Sequence, residues 1–386
     1  MGEAAEEAAK LMPQPDEVLR SKNGKGRYRV GRLLGKGGFG AVYEVATVLK
    51  AASAADDGEQ PQPQQTTEQT YAMKVELINK KSNRERDSSL HMELEVLARL
   101  GDVPRVDGSP SHFCSVIDTG IGPEYVFVIM TAVGQNLWHL RQASRGHHFS
   151  TYTAMEVGRQ CLSAIRHLHL AGYLHRDIKP GNFAVGRPED GLQRLVFLLD
   201  FGMARRFKHS GGQLKRARSH IGFRGTVRYA SLQSHEGQDL GRRDDLESWL
   251  YALIEMTAGS LPWGRIPGRE RDRIFYMKQN CRDGGGRDEL LEHTPRGGKS
   301  FDRLLAYVDT LRFQTIPDYD FLGDVLLREQ YGSALWREAK AHPERHQQPL
   351  DWETAAIPSS ALPQPAAPYI LNNNIREGGR RGHKAN

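Results

Sequence analysis

His175-Arg176-Asp177-Ile178-Lys179-Pro180-Gly181-Asn182 is the stretch on which the reading of this chain turns. It sets polar groups with different jobs into one short segment. An apolar, strand-like approach, Ala171 to Leu174, leads into it, and Phe183 to Val185 reads as a further short strand. The apolar run Leu195 to Leu199 then delivers Asp200-Phe201-Gly202. Asp177 offers a carboxylate that can orient and deprotonate an alcohol, and Lys179 a cation beside a phosphate. Asn182 and Asp200 supply oxygen ligands of the kind Mg²⁺ takes.

Such a segment makes demands on the chain before it. Tyr28 to Leu34 alternates like a half-buried strand, Gly35-Lys36-Gly37-Gly38-Phe39-Gly40 turns, and Ala41-Val42-Tyr43-Glu44-Val45 alternates again. A dinucleotide-binding turn would need a helix after its glycines. A strand follows instead, which favours a flexible loop that covers phosphates. Residues from about 48 to 70 form an Ala, Asp, Gln and Pro tract that reads as a disordered insertion. Tyr71 to Glu76 resumes the strand and carries Lys74. In the helix that follows, Leu90, Leu94, Leu97 and Leu100 form one apolar face. Glu93 borders that face, whereas Glu95 points toward solvent. Phe113 to Asp118 and Tyr125 to Met130 complete a sheet expected to have five strands and one main helix. Met130 can line a nucleotide pocket or simply pack in the core. Met155 to Leu170 is an amphipathic helix.

Together these motifs resemble the signature set of eukaryotic protein kinases, over roughly residues 28 to 331. Lys179, two residues beyond Asp177, is similar to the serine/threonine pattern. Asn182-Phe183-Ala184-Val185-Gly186, Asp200-Phe201-Gly202-Met203-Ala204-Arg205 and Gly225-Thr226-Val227-Arg228-Tyr229-Ala230-Ser231 resemble the casein kinase I group, and within it the tau-tubulin kinase branch.

That resemblance implies an α+β, bilobal fold: a small five-stranded β lobe at 28–131, interrupted at about 48–70, and a larger, mainly helical lobe at 132–341. Flexible ends are expected at 1–27 and 342–386. It implies ATP and Mg²⁺ as cofactors. Gly35, Lys36, Gly37, Gly38, Phe39, Gly40, Val42, Lys74, Glu93 and Met130 would bind ATP, with Glu93 pairing Lys74. Asp177 would orient the acceptor hydroxyl, Lys179 neutralise the transferred group, and Asn182 and Asp200 hold the metal. Thr226 would hydrogen-bond near Asp177 and Lys179, and Asp245 tie down the catalytic loop. Departures from the pattern are the insertion, Gly181 in place of a common Ser, and Glu247 in place of a common Trp, whose space Trp249 can fill.

Between Met203 and Ser231 stand Arg205, Arg206, Lys208, Lys215, Arg216, Arg218, Arg224 and Arg228, with no Asp or Glu. Arg205, Arg206, Lys215, Arg224, Thr226 and Arg228 are the expected contacts of a substrate. Cations there favour acidic or already phosphorylated protein substrates. Over most of its length the loop lacks the interleaved aromatics of a nucleic-acid binder. The competing function is a pseudokinase-like scaffold, against which the complete set of Lys74, Asp177, Asn182 and Asp200 argues.

The 386 residues are 38% hydrophobic and 26% charged, with a net charge of +6, ordinary values for a globular chain. Cys114, Cys161 and Cys281 have no metal or disulfide spacing. The acidic, Ala-rich start is unlike a secretion signal, and no apolar run nears the roughly 20 residues of a membrane helix. An intracellular, cytoplasmic monomer is expected, with the nucleus left open as a compartment.

Overall fold

The structure is a computed structural model that describes residues 10–37, 40–48, 69–78, 89–104, 110–209, 211–219 and 221–354. The insertion lies almost wholly outside the described residues, as do Gly38 and Phe39 of the glycine turn. The described residues fall into two compact units, one from 10–78 with 118–129 and one from 89–117 with 130–354. Each has its own apolar core.

In the first unit, period-two alternation builds a six-stranded sheet in the order β1-β2-β3-β4-β6-β5. The strands are β1 (Val18–Arg20), β2 (Arg27–Gly37), β3 (Gly40–Thr47), β4 (Thr70–Leu77), β5 (Val116–Ile121) and β6 (Tyr125–Met130). Val30, Val45, Met73, Val75 and Ile129 are completely buried on its core face. Gly40 is required where it stands: with φ +154°, a Cβ would come within 1.8 Å of Val75 O.

Two expectations change here. The sheet has six strands rather than five, because β1 pairs with β2 antiparallel, Leu19 opposite Tyr28. Met12 and Leu19 are buried with it, so residues 10–27 are not the loose lead-in that their polarity suggests. The expected strand Phe113 to Asp118 is displaced to Val116–Ile121.

The second unit contains α1 (Ser89–Gly101), α2 (Leu137–Ala143), α3 (Thr151–Leu170), α4 (Leu232–His235), α5 (Arg242–Ala258), α6 (Arg271–Asp283), α7 (Gly286–Leu291), α8 (Lys299–Thr310), α9 (Tyr319–Ala341) and α10 (Asp351–Thr354). Its short strands are β7 (Tyr173–Leu174), β8 (Phe183–Val185), β9 (Val196–Leu198) and β10 (Arg205–Arg206). α5 is buried on nearly every face and forms the centre of this unit. α1 groups with this unit because Val96 and Leu97 join its core.

The segment after α9 also departs from expectation. Asp351 accepts from the Ser150 amide at 2.6 Å and from Thr153 Oγ1 at 2.9 Å, at the start of α3. Leu350 is buried and Trp352 Nε1 donates to Gln193 O. Residues 348–354 are therefore tied to α3 and its surroundings, and the tail beyond 354 lies outside the described residues. Among the described residues no helix is long and apolar enough to cross a membrane.

Candidate active site

The catalytic stretch is held from two sides. β7 pairs antiparallel with β10, Leu174 opposite Arg205, and fixes the approach to His175. From below, Asp245 in the first turn of α5 accepts the His175 amide on Oδ2 and the Arg176 amide on Oδ1, each at 2.8 Å. Arg176 has φ +69°, a strained value for a non-glycine residue that these bonds and Arg176 Nε on Met203 O hold in place. Burial alone would push the Asp245 carboxyl up, but hydrogen bonds from His169 and the His175 amide outweigh it and keep it below the usual carboxylate range. Burial lowers the His169 imidazole from its ordinary value, with Asp245 opposing the fall; Nε2 lies 2.9 Å from Asp245 Oδ2 and Nδ1 2.6 Å from Tyr319 OH.

Around Asp177 the side chains converge as the sequence predicts. Lys179 Nζ lies 2.7 Å from Asp177 Oδ2. Thr226 Oγ1 donates to Asp177 Oδ1 at 2.7 Å and accepts from Lys179 Nζ at 3.1 Å. Gly225 makes this approach possible: at φ +93°, a Cβ there would stand 2.8 Å from Arg176 O. His175 donates from Nε2 to Leu199 O and accepts the Asp177 amide on Nδ1, which braces the loop.

The β8–β9 pair explains how Asn182 and Asp200 come together. Phe183 pairs with Leu198, so Asn182 precedes one strand at the end where Leu199 and Asp200 leave the other. The Leu199 amide donates to Asn182 O. Asp200 takes a left-handed φ of +64° at the start of the turn Phe201–Met203. Asn182 Nδ2 donates to Asp177 O at 2.8 Å, so its amide oxygen is the atom it can offer a cation. Among the described residues no cluster of three or more His, Cys, Asp and Glu could hold a metal by itself. One carboxylate and one amide oxygen suit Mg²⁺, which completes its shell with water and substrate phosphate.

Lys74 and Val42 lie opposite one another on β4 and β3, and Gly35 opposite Val42 on β2, all within the first unit. Gly37 and Gly40 close the same hairpin. In the second unit Glu93 is buried and Glu95 exposed, as the helical spacing predicts, and Met130 is buried.

The basic segment divides. A cavity of about 670 Å³ is lined by six cations, Arg176, Arg205, Arg206, Lys215, Arg218 and Arg224, together with Glu95. Asp239 bonds both Arg205 and Arg218. Desolvation, then the nearby charges of Arg224, Arg205 and Arg218, lower the Arg176 guanidinium to about 10. So many like charges on one cavity are the setting for an anion. Arg228 is not part of the lining; its guanidinium bonds Glu255 and Gly264 O. Arg176 and Arg218, which were not among the expected substrate contacts, join the lining. A larger cavity of about 840 Å³ beside α3 and α9 contains none of the catalytic side chains.

Glu247, the departure from pattern, is buried and accepts from Arg282, Tyr251 OH and the Leu232 amide. Trp249 is fully buried and donates Nε1 to Gly158 O.

The family model for the protein kinase domain matches residues 62–301, a stretch that begins after the glycine hairpin. A Dictyostelium discoideum protein described as a probable serine/threonine-protein kinase is 33% identical over 85% of this chain and 57% of its own length. The serine/threonine-protein kinase spe-6 of Caenorhabditis elegans is 30% identical over 89% of this chain and 79% of its own length. The chain thus spans little more than half of the first relative.

Proposed function

We propose, for a chain that belongs to the protein kinase family and carries an ATP-dependent serine/threonine kinase domain, that it phosphorylates Ser or Thr in acidic or already phosphorylated protein substrates. The observation that carries the substrate preference is the six-cation cavity bordering Arg176, the neighbour of Asp177. A peptide carboxylate or phosphate there would gain charge-assisted hydrogen bonds and relieve repulsion among the guanidinium groups. The sequence resemblance to the casein kinase I group and its tau-tubulin kinase branch points the same way. Residues of the whole protein's partners and compartment follow as proposals of the same rank: protein substrates, action as a monomer, and a cytoplasmic location.

The mechanism rests on positioning and electrostatics. Asp177, its two oxygens already oriented by Thr226 and Lys179, accepts the proton of the acceptor hydroxyl and fixes the direction of attack. The Lys179 ammonium lies next to that oxygen, where negative charge on the transferred group needs neutralising. Lys74 and the glycine hairpin residues Gly35, Lys36, Gly37 and Gly40 would take the nucleotide phosphates, and Val42 the base. Asn182 and Asp200 would hold Mg²⁺, whose bound charge would neutralise the nucleotide phosphates.

The test is an ATP/Mg²⁺ phosphorylation assay on acidic, primed and neutral peptides, with Asp200→Ala beside the wild type. Faster turnover of acidic and primed peptides and a silent variant are expected. Equal turnover of all peptides would remove the substrate preference, and undiminished activity of the variant would remove the metal assignment. A wild type inactive on every peptide would leave a nucleotide-binding scaffold.

A further inference from the structure

Thr226, whose hydroxyl orients Asp177, sits at the head of a short turn. The Tyr229 and Ala230 amides both donate to Thr226 O at 2.9 Å. The outward carbonyls of that turn need partners, since buried polar groups without them are costly. Trp263 Nε1 takes Arg228 O at 2.8 Å. The other two go to one residue of α6. Lys278 Nζ donates to Val227 O at 2.9 Å and to Ala230 O at 2.6 Å.

Lys278 is completely buried, an unusual place for a lysine. Its third partner is His235 Nε2 at 3.2 Å. An ammonium has three donors and no acceptor, so a charged Lys278 takes His235 Nε2 as its third acceptor. The three donors thus meet three acceptors, and the charge also faces the rings of Tyr251 and Trp263 at 5.0 and 5.3 Å. Desolvation still lowers the ammonium to about 7, with Glu247 opposing and Arg282 reinforcing the fall. Burying this cation has a cost in stability that an apolar side chain of the same length would not have.

We propose that Lys278 is a positioning residue for phosphoryl transfer: by fixing both carbonyl ends of the turn from Thr226 to Ala230, it sets the Thr226 hydroxyl against Asp177 Oδ1. The chain of contacts is continuous. Lys278 holds the turn, the turn presents Thr226, and Thr226 orients the carboxylate. Lys278 touches no reacting atom. This role rests on Asp177 being the acceptor-side carboxylate.

A double-mutant cycle tests it on the full chain, with kcat, peptide KM and nucleotide affinity measured for Lys278→Met, Thr226→Val and the pair. Lys278→Met should lower kcat about 10-fold on the wild-type background and less than about 2-fold on Thr226→Val, because groups acting in series are not additive. Nucleotide affinity should stay within about 2-fold, which separates positioning from general loosening. If Lys278→Met fails to fold, Lys278→Gln, which has two donors where the ammonium has three, replaces it in the same cycle. Multiplying losses, or a Lys278 variant with wild-type kcat, would overturn the role. An active Asp177→Asn would instead remove the reading of Asp177 on which it rests.

Discussion

Asp245 and Arg176, 69 residues apart in sequence, are joined by a 2.8 Å bond from the Arg176 amide to Asp245 Oδ1. The same carboxylate serves the His175 amide and His169, so one buried side chain on α5 holds the strained turn that aims Asp177. Asp245→Ala strands three buried donors and should cost about 3 to 5 kcal/mol of stability. Turnover should fall with it. Asp245→Asn keeps one acceptor oxygen and should lose less. Chemical denaturation and kcat on the two variants check both.

Gly225 and Gly181 lie close in function but differ in strain. Gly225 has φ +93° and its Cβ would meet Arg176 O at 2.8 Å, whereas a Cβ at Gly181 meets nothing within 4 Å. Gly225→Ala should therefore destabilise by about 1 to 3 kcal/mol and slow turnover. Gly181→Ser should stay within about 0.5 kcal/mol of the wild type. Thermal melts of the pair, read beside their kcat values, decide it.

Asp177→Asn keeps the size of the side chain and removes the base. The expected loss in kcat is about 10²- to 10⁴-fold, the range general base catalysis supplies. Nucleotide affinity should be unaltered, since Asp177 meets the acceptor side. Single-turnover rates with nucleotide binding measured separately provide the check.

Lys215→Gln and Arg224→Gln should each lower kcat/KM for a primed peptide by about 10-fold, near the value of one charge-assisted hydrogen bond. A neutral peptide should be turned over as before. Raising the salt concentration should narrow the gap between the two peptides, because screening weakens the attraction.

Two buried groups give the stability of this chain opposite pH trends. Burial raises the Asp244 carboxyl to about 7, against the Gly241 amide, Arg243 and Ser231, which favour its charge. Its contribution is full below the ordinary value of 3.8 and is lost as pH rises through about 7. Lys278 is depressed to about 7 from 10.5, so its contribution is full above 10.5 and is lost as pH falls through about 7. Glu247, Arg282, His235 and Cys281 are the titratable and charged groups near it. Asp244→Asn should flatten the melting curve between about pH 4 and 7, and Lys278→Met between about pH 7 and 10. Melting temperatures across both ranges test the signs.

Much of the site was legible because its chemistry is local in sequence. Residues 175–182 and Asp200-Phe201-Gly202 name their own roles by residue type and spacing, and period-two alternation marked β2, β3, β4 and β6. The burial of Glu93 over Glu95 followed from helical spacing alone. β1 was not legible: three residues among charged neighbours give no pattern, and their burial comes from pairing with β2. The packing of residues 348–354 was hidden for the same reason, since Asp351 finds its partners at the start of α3, some 200 positions earlier.

By itself, the sequence determined which groups can do the chemistry and in what order they occur. Tertiary structure alone decided who holds them. Lys278 and Val227 are 51 residues apart, and Arg228, in a run of cations, finds Glu255 from α5. A lone lysine on an amphipathic helix carries no signal of burial, and an arginine in a basic run carries none of its partner. Hydrogen bonds and charges act over a few ångströms of space, so their partners are fixed only once the chain has folded.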